Sequence, residues 1–311
     1  MALIILQQIL VMSLYMLIGF LLYKTGIITQ EGSRSFAGLL AYVVIPSTIL
    51  NSFMTDFSSE RLRLFGISFV LGLFSIMIAV VISALFFRNA YVDRFAATFS
   101  NAGFIGIPLV KAAIGDEGLF YLVGVLIWYN LVQWTYGMGL LRKAGKSPAQ
   151  AGDGLSLRKL LTNPIVIAAI CGFLLFVSGA GTSLPPVLSN CISGVASLNA
   201  PMAMIVLGVY LAQSSLIDQF TSKRLYAVTL VRLVVIPAAT ILVLSFMPVS
   251  YNMKMTIAIA TSASVGANVA VYSQICGADY VYACRTVTHS TIFSIVLMPL
   301  MMLFAGVLIH P

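Results

Sequence analysis

Long apolar segments alternate with short polar ones along almost the whole chain. A helix that crosses the hydrocarbon core of a bilayer needs roughly 20 apolar residues. Counting on that basis predicts an all-α membrane protein with ten membrane-spanning helices. The predicted spans are 3–23, 33–52, 64–87, 93–114, 117–141, 163–179, 186–214, 223–246, 253–276 and 280–308.

One longer polar stretch, at 142–162, divides the chain into two halves of five spans each. We expect a first five-helix repeat over 1–141, this stretch as a linker, and a second five-helix repeat over 163–311. Because five is odd, the two halves would cross the membrane in opposite senses, as in inverted-repeat carriers. Weak internal symmetry agrees with this, since Gly115 and Gly277 end the fourth and ninth spans.

The basic residues outside the spans are distributed unevenly. Eleven lie in the loops after odd-numbered spans and four in the loops after even-numbered spans. Loops rich in Lys and Arg stay on the cytoplasmic side of a membrane. The bias predicts that the 142–162 loop is cytoplasmic and that both chain termini lie outside.

The fourth predicted span is interrupted by small and polar residues, namely Asn101, Gly103, Gly106 and Pro108. Proline lacks a backbone N–H and clashes with the preceding helical turn, while glycine tolerates backbone angles that other residues resist. The sequence therefore predicts that this helix opens near 103–108. A simple proline kink that only shapes packing is the alternative.

The ninth predicted span carries a similar interruption without proline, with Ser264, Gly266 and Asn268 in its middle. Small residues of this kind also let helices pack closely. Paired interruptions in matching halves, however, are typical of a transporter binding site, because irregular backbone at membrane depth is tolerated only where it is buried or lines a cavity. We predict that helices four and nine are broken, near 103–108 and 265–269, and cross each other.

Composition excludes several other classes of protein. Of the 311 residues 60% are hydrophobic and 8% are charged, whereas soluble domains carry roughly 25% charged residues. The net charge of +8 is not accompanied by an interleaved basic and aromatic patch, so we expect membrane lipid as a partner and no nucleic acid. Four scattered cysteines and two histidines predict neither a metal site nor a cofactor, and no constellation for an enzyme is present.

Some further polar residues inside spans are candidates for the binding site. Arg232 and His289 lie about a third of the way into spans eight and ten, and ionisable groups within a membrane are functional candidates by default. Snorkelling to the surface is the alternative for Arg232, and simple packing is the alternative for His289. Asn130 and Gln133 share one face of span five, where they could line a cavity or join helices by hydrogen bonds.

The acidic residues indicate the charge of the solute. All nine lie in loops or at span ends, although carboxylates are the usual carriers of protons and sodium in membranes. The helix end freed after Pro108 would be electropositive. We therefore expect a small organic anion, bound by Asn101, Asn268 and the helix ends. The alternatives are a sodium- or proton-coupled symporter and, in another class, a membrane receptor or scaffold.

The first interruption, NAGFIGIPLV at 101–110, resembles the signature of the auxin efflux carrier family. The stretch at 277–300 and IPSTIL at 45–50 are also similar to that family. The family motif falls on Asn101 and Pro108. Plant members have a proline at the second crossing, whereas this chain has none between 253 and 277.

The resemblance implies two inverted five-span repeats whose helices interleave into a scaffold domain and a transport domain. Transport in the family is an elevator-like shift, and the substrates are organic anions, including malonate or malate for some bacterial members. The short loop at 142–162 resembles the bacterial branch, which implies a location in the bacterial inner membrane. A homodimer is also expected.

Overall fold

The structure is a computed structural model that describes residues 2–145, 163–213 and 222–309. The chain is helical throughout these ranges, apart from the segments that connect the helices. The helices are α1 (Ala2–Lys24), α2 (Gln30–Leu39), α3 (Ile45–Ser52), α4 (Ser59–Phe86), α5 (Tyr91–Thr98), α6 (Ile107–Ala113), α7 (Asp116–Val132), α8 (Met138–Ala144), α9 (Pro164–Val177), α10 (Pro186–Ser197), α11 (Asn199–Gln213), α12 (Lys223–Leu230), α13 (Ile236–Ser245), α14 (Tyr251–Ser262), α15 (Asn268–Ile275) and α16 (Tyr280–Leu308).

Seven helical segments of the described chain are long and apolar enough to cross a membrane. They are Gln7–Lys24, Glu31–Ser52, Ser59–Phe86, Asp116–Ala144, Pro186–Gln213, Lys223–Ser245 and Tyr280–Leu308. These segments match seven of the ten predicted spans, with ends that differ by at most five residues. The predicted all-helical architecture is therefore confirmed for the described residues.

The other three predicted spans are shorter or broken. Span six is α9, a helix of 14 residues. Spans four and nine are each divided into two helical pieces, by non-helical residues at 99–101 and 263–267. Ten spans in two inverted repeats thus stay a prediction. The predicted linker lies mostly outside the described residues, which resume at 163.

Wider π-helical turns precede three of the prolines in this fold. The π-turns Leu40–Val44, Ala102–Gly106 and Val231–Val235 each run directly into an Ile-Pro pair. In each, the isoleucine N–H bonds to the carbonyl five residues back. Proline cannot donate and crowds the carbonyl four residues before it, so a π-turn at this place lets the helix continue through the proline.

Glycine permits a close helix contact between α1 and α11. A Cβ atom on Gly208 would lie 1.9 Å from the carbonyl oxygen of Met16, and one on Gly19 would lie 2.1 Å from that of Ile205. Small residues at helix crossings are a common basis of packing between membrane helices. The pair ties the first span of the chain to the seventh.

Helix α14, which leads into the second break, lies in the centre of the molecule. It packs against α7, α13 and α16, and every residue from Met253 to Ser262 is buried. The break that follows it is therefore enclosed by protein.

Candidate functional site

The two breaks contact each other in the middle of the protein. Ser100 pairs with Val265 as an isolated antiparallel bridge, and the Asn101 N–H donates to the carbonyl oxygen of Ser264 at 2.7 Å. Each break thus supplies partners for peptide groups that the other would leave unpaired. Such pairing is what irregular backbone needs at membrane depth.

Gly266 makes the close approach of the two breaks possible. Its N–H donates to the carbonyl oxygen of Phe99 at 2.9 Å. A Cβ atom at this position would lie 3.2 Å from the Ser100 oxygen and 3.3 Å from the Phe99 oxygen, which is tighter than ordinary packing. At Gly106, by contrast, an added Cβ would meet its nearest neighbour, Ala102 Cβ, at an ordinary 3.4 Å.

The breaks lie earlier in the chain than the sequence predicted. They are at 99–101 and 263–267 rather than near 103–108 and 265–269. Pro108 does not open the helix but sits in the first turn of α6. Neither glycine of the first interruption has a positive φ, so the unusual backbone angles expected there are absent and the π-turn takes their place.

Helix α16 holds the second break from behind. The Val265 N–H donates to Ser290 Oγ at 3.0 Å, and Ser264 Oγ lies 3.2 Å from Thr291 Oγ1. Ser264 was predicted to bind substrate, but its side chain is fully buried against α16. Its contacts support the break.

A small cavity of about 60 Å³ lies beside the paired breaks, and we call it the crossover cavity. Its wall is formed by both breaks, by α7 and the π-turn that follows it, and by single residues of α3 and α9. Six of the residues predicted from sequence line it, namely Asn101, Gly103, Asn130, Gln133, Gly266 and Asn268.

The amide side chains of this cavity differ in their hydrogen bonds. Asn268 Nδ2 donates to Gln133 Oε1 at 3.1 Å, and Asn130 Nδ2 donates to the Leu126 carbonyl of its own helix at 2.8 Å. Asn101 is 4% exposed, and its Nδ2 has no partner among the described residues. An amide donor without a partner thus belongs to the cavity wall.

Arg232 lies behind the breaks and not in the crossover cavity wall. Its side chain is fully buried. Nη1 donates to the carbonyl oxygens of Ala97 and Thr98, each at 3.0 Å, and Nη2 donates to that of Thr261. The guanidinium therefore joins the helix that enters the first break to the helix that enters the second.

Other predicted site residues lie apart from the crossover cavity. His289 is buried, with Nδ1 2.7 Å from Thr229 Oγ1 and its ring stacked on Phe293 at 4.6 Å. Gly106 lies in the π-turn before α6. Pro108 lines a separate cavity of about 280 Å³ between α3, α6, α7, α10 and the start of α11.

A larger cavity of about 400 Å³ adjoins the second break, and we call it the side cavity. It lies between α1, α2, α11, α15 and α16. Ala267 contacts both this cavity and the crossover cavity. Arg285 is the charged residue in its described wall, which otherwise includes polar groups such as Ser33, Gln213 and Gln274.

Comparison with known proteins decides the family. The family model described as "Membrane transport protein" matches residues 4–302 of the chain. The chain belongs to this family. It is the auxin efflux carrier family that the sequence motif predicted, so that prediction is confirmed. The protein is a multi-pass membrane transporter and not an enzyme.

Three relatives agree with this assignment. An uncharacterized transporter of Methanothermobacter thermautotrophicus is 27% identical over 91% of this chain and 93% of its own. A second uncharacterized transporter, from Methanocaldococcus jannaschii, is 23% identical over 67% of this chain and 69% of its own. A protein of Rhizobium meliloti, provisionally named a malonate transporter, is 26% identical over 48% of this chain and 44% of its own.

The transporter also has features near the site that the sequence did not indicate. Ile45 and Ile165 reach the crossover cavity from α3 and α9. Asp93, at the start of the helix that enters the first break, is 1% exposed and accepts a hydrogen bond from Arg224 Nε at 2.6 Å. Its partner is 131 residues away in the chain, so no local pattern could have found it.

Proposed function

We propose that the transporter carries a small organic anion, a mono- or dicarboxylate, and binds its carboxylate group in the crossover cavity. The observation that carries this proposal is the composition of the cavity wall. It contains amide side chains, one of them a buried donor without a partner at Asn101, and no carboxylate among its described residues. Carboxylates only accept hydrogen bonds, and amide groups can donate to them.

The directions of the two broken helices support an anion as well. The helical segment Ala102–Ala113 and helix α15 both begin at the crossover cavity. The N-terminal end of a helix carries a partial positive charge and unpaired N–H groups. Two such ends beside one small cavity favour a negatively charged group over a cation.

The sizes of the two cavities suggest which part of such a solute each would hold. The crossover cavity, at about 60 Å³, is well below the roughly 300–1,000 Å³ of typical small-molecule sites. It suits a head group, while the side cavity, at about 400 Å³, suits the remainder of a solute. Arg285 in the side cavity wall would attract a second carboxylate.

A relative gives independent support for a carboxylate. The Rhizobium meliloti protein is provisionally named a malonate transporter, and it matches about half of this chain. We extend only the chemical class, a small carboxylate, from that name to this chain.

We further propose that residues 1–141 and 163–311 are inverted repeats that move as an elevator in a bacterial inner membrane. Gly115 and Gly277 end the fourth and ninth predicted spans, and both have positive φ, at +86° and +65°. This equivalence supports the repeats. We propose cytoplasmic placement of the 142–162 linker and external termini from the charge bias, and a homodimer as the assembly.

Thermal stability of the purified protein tests the substrate proposal without knowledge of transport direction. A ligand at about 100 times its dissociation constant stabilises a protein by roughly 2.7 kcal/mol. We expect malonate, malate or another small organic acid to raise the Tm saturably. Matched amines and neutral sugars should leave it unchanged.

An Asn101→Ala variant serves as the control for position. It should fold normally and lose most of the stabilisation by acids, because the donor without a partner is gone. Stabilisation by amines alone would contradict an anionic substrate. Stabilisation by acids that is equal in the wild type and the variant would remove the crossover cavity from the binding site.

A further inference from the structure

Three backbone carbonyl groups converge on one buried cation in this structure. Arg232 donates to the carbonyls of Ala97 and Thr98, at the end of α5, and to that of Thr261, near the end of α14. The last carbonyls of a helix have no partner within the helix. The guanidinium donates hydrogen bonds to these terminal carbonyls in both of the helices that lead into a break.

The charges at this place are balanced without a carboxylate. Each helix C-terminus carries about −0.5 of an elementary charge, so the ends of α5 and α14 together offset about one positive charge. Two ion pairs of the described chain join Lys111 to Asp116 and Arg224 to Asp93, and neither involves Arg232. The two helix ends therefore face the guanidinium, with the Tyr129 hydroxyl as a further neighbour.

The geometry favours neither of the two functions that the sequence suggested for this residue. Snorkelling to the membrane surface requires an exposed head group, but Arg232 is 0% exposed. Direct substrate binding requires a place in the cavity wall, and Arg232 is absent from the described walls of the crossover cavity and the side cavity. Nη1 and Nη2 face backbone carbonyls, and Nε has no partner among the described residues.

We propose that Arg232 is a positioning residue and the fixed cation of the crossover. It occupies a place where converging carbonyls would otherwise bind a metal cation, and it holds the two breaks together in the absence of sodium or potassium. The inference goes beyond the proposed function, since it concerns the ion that stabilises the site, whatever solute is carried. Because Arg232 donates to the C-terminal helix ends, the N-terminal helix ends at the crossover cavity stay available to an anion.

Removal of the Arg232 side chain, followed by addition of free guanidinium, tests this inference. Arg232→Ala should lower the Tm by several degrees, because it leaves the carbonyl groups buried without donors. Millimolar guanidinium chloride should then restore most of that loss in a saturable manner. Urea at the same concentration, which has a similar shape and no charge, should restore nothing.

Two comparisons make the result specific. Arg63→Ala removes an exposed arginine of α4 and should neither lower the Tm comparably nor respond to guanidinium. Arg232→Lys keeps a charge but not the planar fork of donors, so its Tm should lie between those of the wild type and Arg232→Ala. Failure of guanidinium to stabilise a folded Arg232→Ala protein overturns the proposal.

A measurement on the wild type decides the question even where Arg232→Ala does not fold. The Tm should be equal in sodium, potassium and choline chloride at one ionic strength, because the cation is part of the chain. A rise in Tm specific to sodium or potassium would overturn the inference. No solute is added in these assays, so their failure is distinct from failure of the substrate proposal.

Discussion

Replacement of Gly266 by alanine perturbs the contact between the two breaks most selectively. The added methyl group would lie 3.2 Å from the carbonyl oxygen of Ser100 and 3.3 Å from that of Phe99. Both neighbours are backbone atoms, so the two breaks must separate by a few tenths of an ångström. Separation weakens the hydrogen bond from Gly266 to Phe99, which is 2.9 Å long.

The size of the effect follows from the two terms involved. Overpacking of a filled interior costs about 1–3 kcal/mol, and a weakened hydrogen bond in a membrane protein adds about 0.6 kcal/mol. Gly106→Ala is the matched control, since its new methyl group meets only ordinary contacts and alanine is favoured over glycine in helices by about 1 kcal/mol. We expect destabilisation for Gly266→Ala and none for Gly106→Ala.

Thermal unfolding of the purified proteins in one detergent measures this difference. At roughly 2 °C per kcal/mol for a large chain, Gly266→Ala should unfold about 3–7 °C below the wild type, whereas Gly106→Ala should match or exceed it. Binding of an organic acid should weaken in parallel in Gly266→Ala. Equal stability of the two variants would refute the close backbone contact.

The remaining predictions concern the amides and the topology. Asn101→Ala and Asn268→Ala should each reduce solute binding with little loss of Tm, because single hydrogen bonds in membrane proteins contribute only about 0.6 kcal/mol. Asn252→Ala, outside the cavity wall, is the control. Unchanged binding in both of the first two variants would exclude Asn101 and Asn268 from the binding site. An impermeant thiol reagent added to intact cells should label a cysteine placed at Pro311 and not one placed at Lys146; labelling at the latter would reverse the orientation.

The helical segments were predictable because hydrophobic length alone specifies them. The interruptions in spans four and nine were also visible, since small and polar residues such as Asn101 and Gly266 are out of place in lipid. Their exact positions were not predictable. The first opening is set by hydrogen bonds to residues far along the chain, such as that from Asn101 to Ser264, whereas Pro108 begins a helix after a π-turn.

The side chains of the site show the same limit. Sequence spacing placed Asn130 and Gln133 on one helix face, and both line the crossover cavity. Polarity alone did not reveal that Ser264 is turned toward α16. The depth of Arg232 in span eight left function and snorkelling open, whereas its bond to Ala97, 135 residues away, depends on the tertiary arrangement.

Uptake by proteoliposomes is the most direct test of the central claim, that an organic anion is carried with its carboxylate in the crossover cavity. Labelled malate, malonate and an aromatic acid would be compared with matched amines and neutral sugars, in the wild type and in Asn101→Ala. The account predicts saturable uptake or counterflow of one or more acids that Asn101→Ala strongly reduces. Selective uptake of amines, or uptake of acids that Asn101→Ala leaves unchanged, would contradict it.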